Sequence, residues 1–269
     1  MISVTEHQIL KETQIISKYL AYRYCNNVST NLLEICEEEA LHIISDDYKE
    51  YFDGMLVWDS SDFHIHLNTA KGNLPSTKRG RFTLAHELGH YFIDAHRESL
   101  KSGTLPSHPS HQSLIHNTLM ERQADHFAAC LLMPEERLRA MTGGRKFSLD
   151  IIKELSKSFD VSLTAALLRF LEVGTHDIMI VFSQDNIVKW TKRSDRFPKL
   201  ANKFKIGGAL PPTSVAGESF LKMDAKYTTV EPVSLDDWFE DRGWNPGPMF
   251  EQCFYSDLYN YAISMVWFK

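Results

Sequence analysis

The sequence predicts an α+β fold, in which a helical core with a small β-sheet is followed by a strand-rich C-terminal domain. Apolar residues recur at helical spacing in five segments of the first 174 residues, with one hairpin-like stretch among them. From residue 178 onward, apolar residues fall instead into short strand-like runs. This change of period predicts two domains, which cover residues 1–174 and 175–269.

The first half of the N-terminal domain combines two helices with a hairpin. Residues 5–21 carry apolar side chains on roughly one side, and Thr30 can cap a second helix that extends to about residue 41. The period then changes to the alternation typical of strands in residues 54–58 and 63–67, which four turn-forming residues separate. We therefore expect a β-hairpin at this point of the chain.

The second half of the N-terminal domain is predicted to be helical. Residues 75–94 begin with Pro-Ser-Thr and keep an inner apolar stripe, and residues 115–133 form a further helix that Pro134 ends. The intervening residues 97–113 are rich in Ser, Gly, Pro and His, which is typical of a loop. Residues 148–173 complete the domain as two short helices.

Strand-like runs dominate the C-terminal domain, together with two segments of opposite charge. Residues 187–205 contain seven basic residues and one acidic residue, whereas residues 231–241 contain five acidic residues and no basic one. Such segments usually form solvated faces, although these two can also pair with each other or receive a protein substrate. The strand-like runs are residues 178–183, 187–191, 252–255 and 263–268.

The composition is that of an ordinary globular protein. The 269 residues include 43% hydrophobic and 24% charged residues, enough for one large core or two modest ones. Twenty-nine basic residues against 35 acidic ones give a net charge of −6. This balance excludes bulk attraction to nucleic acid or to an anionic membrane as the main function.

Cysteine use and the N-terminal residues predict a cytoplasmic protein. The four cysteines are scattered and form no Cys-x-x-Cys pair, which suits neither a thiolate zinc site nor a secreted disulfide framework. The N-terminus lacks the basic start and apolar run of a signal peptide, and no apolar stretch approaches the roughly 18 residues of a membrane helix. We therefore expect a soluble protein in a reducing compartment.

Histidines are concentrated in one part of the chain. Nine of the twelve lie between His64 and His126, which is less than a quarter of the sequence. Such a density arises either by accident in a solvated loop or because the protein binds a metal ion. The sequence within this region favours the metal.

Residues 86–90 read His-Glu-Leu-Gly-His, an HExxH motif inside a predicted helix. Four residues advance a helix by about 400°, so His86 and His90 lie about 40° apart on one face, roughly 6 Å from each other. Both imidazoles can thus reach one zinc ion. Glu87 lies next to that face and can take a proton from water rather than bind the metal. A shuffled chain of this composition would contain the motif about 4% of the time, so its context has to support it.

A catalytic zinc site needs a third protein ligand and an open fourth position. His96 follows His86 by ten residues, which is the offset used by metzincin proteases. Those proteases need glycine where this chain has Ile93, because the backbone must turn sharply there, and a β-branched residue resists that geometry. We therefore disfavour His96 as the third ligand.

Glu121 is the favoured third ligand. Glu121 and Asp125 lie one turn apart on the predicted helix 115–133, so one helical face presents two carboxylates. The helix continues through residues 127–133, which are too apolar to lie exposed. Metal-bound histidines usually donate their second nitrogen to a carboxylate, and Asp125 is placed for that role. A glutamate ligand with an aspartate one turn later is the gluzincin arrangement.

Two stretches of the chain resemble a known family. Residues 81–90 (RFTLAHELGH) and residues 121–134 (E-x-Q-A-D-x-F-A-x-x-L-L-M-P) are together similar to the ImmA/IrrE family of zinc metallopeptidases. The resemblance is strong from about residue 54 to residue 134 and extends to about residue 174. It therefore concerns the helical core and not the C-terminal domain.

The resemblance implies a zinc-peptidase core in which His86, His90 and Glu121 bind Zn²⁺ and Glu87 is the catalytic acid/base. The family usually has Glu or Gln at the position of Gln123, which leaves Glu121 as the ligand. Its members are typically cytoplasmic bacterial enzymes that cleave a helix-turn-helix repressor and thereby switch on mobile-element or stress genes.

The sequence thus predicts a zinc-dependent endopeptidase that cleaves a regulatory protein, with a C-terminal domain that senses a signal or docks the substrate. The alternative is a zinc-organised regulatory protein that controls a partner without proteolysis, although a pure binder would have no need for Glu87. Direct DNA binding by the helical pair 148–173 is disfavoured, because this segment has three basic residues against four acidic ones.

Overall fold

The computed structural model confirms the predicted α+β fold and describes residues 4–104, 110, 118–222, 229–240, 243, 247–256 and 260–269. The chain forms two compact units. Unit 1 comprises Met1–Leu138 and Glu154–Ala166, and unit 2 comprises Arg139–Lys153 and Leu167–Lys269. The functional division at residue 174 that the sequence suggests stays a prediction.

In the described chain, six consecutive α-helices separate the strands before residue 69 from the strands after residue 177. Its helices are α1 (Val4–Arg23), α2 (Leu32–Glu38), α3 (Lys78–Phe92), α4 (Asp94–Lys101), α5 (Leu119–Leu132), α6 (Glu135–Thr142), α7 (Leu149–Ser158), α8 (Leu163–Val173), α9 (Val215–Lys222) and α10 (Leu235–Trp238). Its strands are β1 (Cys25–Asn26), β2 (Ser29–Thr30), β3 (His42–Asp46), β4 (Gly54–Trp58), β5 (Phe63–Asn68), β6 (Ile178–Gln184), β7 (Ile187–Arg193), β8 (Glu231–Val233), β9 (Met249–Ser256) and β10 (Tyr261–Phe268). None of the described helices is long and apolar enough to cross a membrane.

The two longest helices in the histidine-rich part of the chain are α3 and α5, and each begins at a residue whose side chain caps the helix. Thr77 Oγ1 accepts a hydrogen bond from the backbone N–H of Gly80 at 3.0 Å, and Thr118 Oγ1 accepts one from the backbone N–H of Glu121 at 3.4 Å. Such caps satisfy donors that the first helical turn leaves without an intrahelical partner. Both helices agree with the sequence prediction, although its residues 115–117 lie outside the described part of the chain.

The predicted loop 97–113 is partly wrong, because helix α4 extends to Lys101. The described residues of this segment after α4 are 102–104 and Ser110. Helix α4 buries only His96 and Leu100, which lie one turn apart. A helix this short, with a single turn of buried side chains, has too little periodicity to be distinguished from a loop by sequence.

Three strands of unit 1 form a mixed sheet in the order β3-β5-β4. Strands β4 and β5 are antiparallel, with Trp58 opposite Phe63, which confirms the predicted hairpin. Strand β3 pairs with β5 in parallel and is absent from the sequence prediction. Most of its side chains are exposed, so its residues show no apolar alternation. Strand β4 is left at an edge of this sheet.

Helices α3 and α5 pack closely at a glycine. A Cβ atom at Gly89 would lie 3.1 Å from Cα of Ala124 and 3.2 Å from Cβ of Phe127. Both distances are shorter than ordinary van der Waals contact, so a larger residue at position 89 would push the helices apart. This close approach brings the histidine-bearing helix against the helix that carries Glu121.

Unit 2 contains a five-stranded antiparallel sheet in the order β7-β6-β10-β9-β8. Four of these strands agree with the strand-like runs of the sequence, whereas β8 has only three residues and too little pattern to be predicted. Its core includes apolar side chains from the sheet and from the segments between β7 and β9, among them Met179, Val181, Val188, Phe204, Leu210, Trp238 and Val266.

The two oppositely charged segments of unit 2 lie side by side. The backbone N–H of Lys203 donates to the carbonyl oxygen of Trp238 at 3.0 Å, and that of Glu240 donates to the carbonyl oxygen of Ala201 at 2.9 Å. The Lys203 ammonium also donates to the carbonyl oxygen of Asp236. These segments therefore meet, as one of the sequence-based interpretations allows, and each of these contacts has a main-chain carbonyl oxygen as its acceptor.

A buried glutamate joins three elements of unit 2. Glu251 on β9 is fully buried, and its carboxylate accepts hydrogen bonds from the backbone N–H groups of Val215 at 2.9 Å and Ala216 at 3.2 Å. The indole N–H of Trp238 and the thiol of Cys253 also donate to it, at 2.9 Å and 3.2 Å. Burial raises the pKa of this carboxyl group, although the four donors oppose the shift.

Replacing Glu251 with alanine is expected to lower the free energy of unfolding by about 3 kcal/mol or more, because several buried donors lose their acceptor and each such loss costs about 1–3 kcal/mol. Urea unfolding followed by tryptophan fluorescence measures this change. The exposed Asp195 provides the control, since Asp195→Ala should change the free energy by no more than about 0.5 kcal/mol. Similar effects of the two substitutions would contradict the structural role of Glu251.

Candidate metal centre

Two histidines of α3 point to the same place. The Nε2 atoms of His86 and His90 lie 3.1 Å apart, and both side chains are buried. A separation of four residues places both rings on one face of the helix, as the sequence predicts. The two nitrogens are close enough to bind a single metal ion.

Glu121 of α5 completes a group of three. Its Oε2 atom lies 3.2 Å from Nε2 of His86, and its Oε1 atom lies 3.4 Å from Nε2 of His90. One possible ligand atom from each of the three residues lies within 4.8 Å of the others. The structure therefore brings together the three residues that the sequence selects as ligands.

The chemistry of this group fits a divalent metal ion. Two imidazole nitrogens and one carboxylate oxygen form one of the ligand sets found in catalytic zinc sites, which keep a further position open. The side chain of Glu121 is only 11% exposed. A buried carboxylate is costly unless it is paired with a positive charge or binds a metal, so a cation among these three side chains is favoured.

Asp125 contacts the opposite side of the His86 ring. Its Oδ1 atom lies 2.9 Å from Nδ1 of His86. If Nδ1 carries the hydrogen and donates it to Asp125, the lone pair of the ring is at Nε2, on the side of Glu121. Asp125 is therefore where the sequence analysis expects a residue that orients a histidine ligand.

The two histidines differ in pKa. Burial disfavours the charged form of His86, but hydrogen bonds to Asp125 and Glu121 outweigh burial and raise its pKa to about 10. Burial prevails in His90 over its hydrogen bond to Glu121 and lowers the pKa to about 3. In the absence of a metal, a proton on His86 thus balances the neighbouring carboxylates, and a metal cation would have to displace that proton.

Glu87 lies against the edge strand β4. Its side chain is buried, and a Cβ atom at Gly54 would lie 2.7 Å from Oε1 of Glu87 and 2.5 Å from Cγ2 of Thr83. Only glycine allows the backbone of β4 to approach α3 this closely. The Glu87 carboxylate also acts electrostatically on His86 and raises the pKa of that ring. Glu87 is thus held between the candidate metal ligands and the edge strand.

A polar network that the sequence analysis missed fixes the start of β4. Asp53 Oδ1 accepts hydrogen bonds from Asn73 Nδ2 at 2.9 Å and from the Arg79 guanidinium at 2.7 Å. Thr83 Oγ1 donates to Asn73 Oδ1 at 2.8 Å. The network ties the residue before Gly54 to α3. No short motif contains these residues, because Asp53 is 20 or more positions from its partners.

His96 occupies a place that the sequence analysis did not foresee. It is buried, its Nδ1 atom lies 3.2 Å from Nδ1 of His90, and its Nε2 atom lies 2.8 Å from Oε1 of Gln123. His96 therefore contacts the nitrogen of His90 that faces away from Glu121. Both alternatives for the third ligand are buried near His90, but on opposite sides of its ring.

Comparison with known proteins shows which family this part of the chain resembles. The family model described as Peptidase_M78, IrrE N-terminal-like domain, matches residues 64–171, which include His86, Glu87, His90 and Glu121. This region is similar to that family over about 40% of the chain. The resemblance to ImmA/IrrE proteins that the sequence motifs indicate is thereby confirmed. A Peptidase_M78 domain implies a metal ion, and the group of three residues described above lies within it.

One curated protein is similar to this chain in sequence, and one solved structure is similar to it in fold. The chain is 27% identical over 112 residues to "Metallopeptidase ImmA" of Bacillus subtilis (strain 168), an alignment that covers 41% of this chain and 58% of that protein. The fold resembles that of a "Mycobacterium tuberculosis transcriptional regulator", with a TM-score of 0.58 and 11% identity, over 96% of this chain and 76% of that one. At this identity the second similarity concerns the fold alone.

Proposed function

We propose that the protein is a zinc-dependent endopeptidase that acts in the cytoplasm on a regulatory protein such as a helix-turn-helix repressor. The observation that carries the proposal is the convergence of His86, His90 and Glu121 beside the buried Glu87. The similarity of residues 64–171 to a metallopeptidase family supports the same conclusion. The repressor as substrate, and a role in stress-gene regulation, rest on the similarity to ImmA/IrrE proteins.

His86, His90 and Glu121 would hold Zn²⁺, and Asp125 would orient the His86 ring. Zn²⁺, when bound, supplies a Lewis acid that activates water and polarises a carbonyl group. Glu87 would accept the proton that water loses and pass it to the amine leaving group. The Glu87 side chain is buried where Gly54 of β4 packs closely against it. Its carboxylate is therefore held in one place and shielded from bulk solvent.

The edge strand supports a peptide as the substrate. Within the described residues, β4 pairs with β5 on one side, and on its other side a bridge joins Gly54 to Ser110. An extended peptide can add to such an edge through main-chain hydrogen bonds. Gly54, which lies in contact with Glu87, is joined to Ser110 at this edge, so a peptide would add to β4 at the residues after Gly54.

The metal content of the purified protein tests the first part of this proposal. Protein purified without added metal is expected to contain one zinc ion per chain, and His90→Ala should lose it, because the substitution removes one of three ligands. Inductively coupled plasma mass spectrometry measures the content. His66 lies on β5, where Tyr48 contacts its ring, so His66→Ala should retain zinc. A folded and active wild type without zinc would contradict the proposed site.

A further inference from the structure

Three buried side chains form a hydrogen-bonded line that ends at the candidate metal centre. Gln123 of α5, His96 of α4 and His90 of α3 are each at most 3% exposed. The Gln123 Oε1 atom lies 2.8 Å from His96 Nε2, and the His96 Nδ1 atom lies 3.2 Å from His90 Nδ1. Each of the three helices contributes one member of the line.

The chemistry of the three groups gives this line one direction. A neutral imidazole has one N–H donor and one acceptor nitrogen, and an amide oxygen can only accept. With Gln123 Oε1 facing His96, the hydrogen of His96 is at Nε2, so its Nδ1 is an acceptor. That acceptor fits a hydrogen on Nδ1 of His90. The lone pair of His90 is then at Nε2, 3.4 Å from Glu121 Oε1.

The opposite direction would be unfavourable for a metal. It would put a hydrogen on Nε2 of His90, among the very atoms that converge to form the candidate metal centre. A ring nitrogen that carries a hydrogen has no lone pair for a metal ion. His86 receives its orientation directly from the carboxylate of Asp125, at 2.9 Å. His90 has the described contact to His96 in the corresponding position.

We propose that His96 and Gln123 are positioning residues, which hold His90 with its lone pair at Nε2 and so raise the affinity of the site for Zn²⁺. This inference rests on the proposed function only in that the site binds zinc. It also gives a role to a histidine that lies ten residues after His86 and yet contacts the far side of the His90 ring. Removal of groups that orient metal ligands typically weakens metal binding about 10–100-fold.

Two substitutions of nearly equal size separate positioning from packing. His96→Leu fills the space but has no acceptor, whereas His96→Asn retains an acceptor oxygen at about the place of the ring Nδ1. Zn²⁺ affinity is measured by competition with a chelating dye. We expect His96→Leu to bind Zn²⁺ about 10–100-fold more weakly than the wild type, and His96→Asn to recover most of that loss. Equal affinity of the two variants would overturn the inference.

A second pair of variants tests the other end of the line without altering a histidine. Gln123→Leu removes the acceptor for His96, and Gln123→Glu keeps an acceptor oxygen. We expect weaker Zn²⁺ binding in the leucine variant and binding close to that of the wild type in the glutamate variant. This pair keeps the inference testable if His96→Leu does not fold, and equal affinities here would count against it.

The wild type provides a direct spectroscopic measurement. In ¹⁵N–¹H correlation spectra of the histidine rings of the zinc-loaded protein, we expect the hydrogen of His96 on Nε2 and that of His90 on Nδ1. A hydrogen on Nδ1 of His96 would overturn the inference, whatever the affinities of the variants. This result depends on the direction of the hydrogen bonds and not on the stability of the fold.

The outcomes distinguish this inference from the proposed function. A wild type that binds no Zn²⁺ would overturn both. Equal affinities of the matched variants, in a protein that cleaves its substrate, would overturn only the positioning role of His96 and Gln123. A wild type that binds Zn²⁺ and shows the expected difference between variants, but cleaves no protein, would overturn only the peptidase.

Discussion

Glu87→Gln is expected to abolish peptide cleavage while the protein keeps its zinc. Glutamine has nearly the same size as glutamate and fits the space beside Gly54, but it cannot accept a proton from water. Proton transfer by a positioned side chain contributes roughly 10²–10⁴-fold to a rate, so turnover should fall by at least that much. Zinc content and thermal stability should change little, because the proposed ligands are untouched.

The measurement compares cells that produce the wild type with cells that produce Glu87→Gln. Mass spectrometry of protein N-termini reports each new cleavage, and a DNA-binding repressor should be among the proteins cut only by the wild type. Co-expression of that repressor with either form then tests the cleavage directly. If regulation in the cell is the same with both forms and neither cuts a protein, the zinc-organised regulatory protein replaces the peptidase.

Sequence predicts the parts of this site that lie within single helices. The HExxH motif fixes the relative directions of His86 and His90, because four residues make about one helical turn. Glu121 and Asp125 follow from the same periodicity on α5, and the family resemblance joins the two helices. The close packing of the two helices depends on Gly89, which also lies within the HExxH motif.

The contacts between distant segments could not be predicted. His96 and Gln123 are 27 positions apart, and α4 is too short to show helical periodicity, so nothing in the sequence links the pair. The ten-residue spacing from His86 suggests only a ligand role for His96, because spacing alone cannot tell which side of the His90 ring it contacts. Contacts of this kind depend on how helices pack, which a single sequence does not specify.

In unit 2, too, the contacts between distant segments could not be predicted from the sequence. Alternating apolar residues predict most of its strands, but the strand order and the short strand β8 depend on long-range pairing. Glu251 lies just before the strand-like run 252–255, and a charged residue at such a position normally indicates an exposed side chain. Its burial depends on donors from Val215, Ala216 and Trp238, which are 13 to 36 positions away.

Glu121→Ala is expected to remove both metal binding and activity. The substitution deletes a proposed bond to a dication, so Zn²⁺ affinity should fall by well over the roughly 100-fold that loss of an orienting residue causes. Zinc at about 100 times its dissociation constant stabilises a folded protein by about 2.7 kcal/mol. The wild type should therefore show a Tm that rises with added zinc, and Glu121→Ala should not.

The control for this experiment is Glu98→Ala, which removes an exposed carboxylate of α4 and should leave the zinc-dependent rise in Tm intact. Comparison with His96→Leu decides the order of the effects. If Glu121 is the ligand and His96 the positioning residue, Glu121→Ala must be the more severe change in both zinc affinity and turnover. If Glu121→Ala instead retains zinc and activity while His96→Leu loses both, then His96 is the third ligand. In that case α5 would not contribute to the metal centre through Glu121. Gln123 would then orient His96 as a metal ligand, and not as a residue that positions the ligand His90.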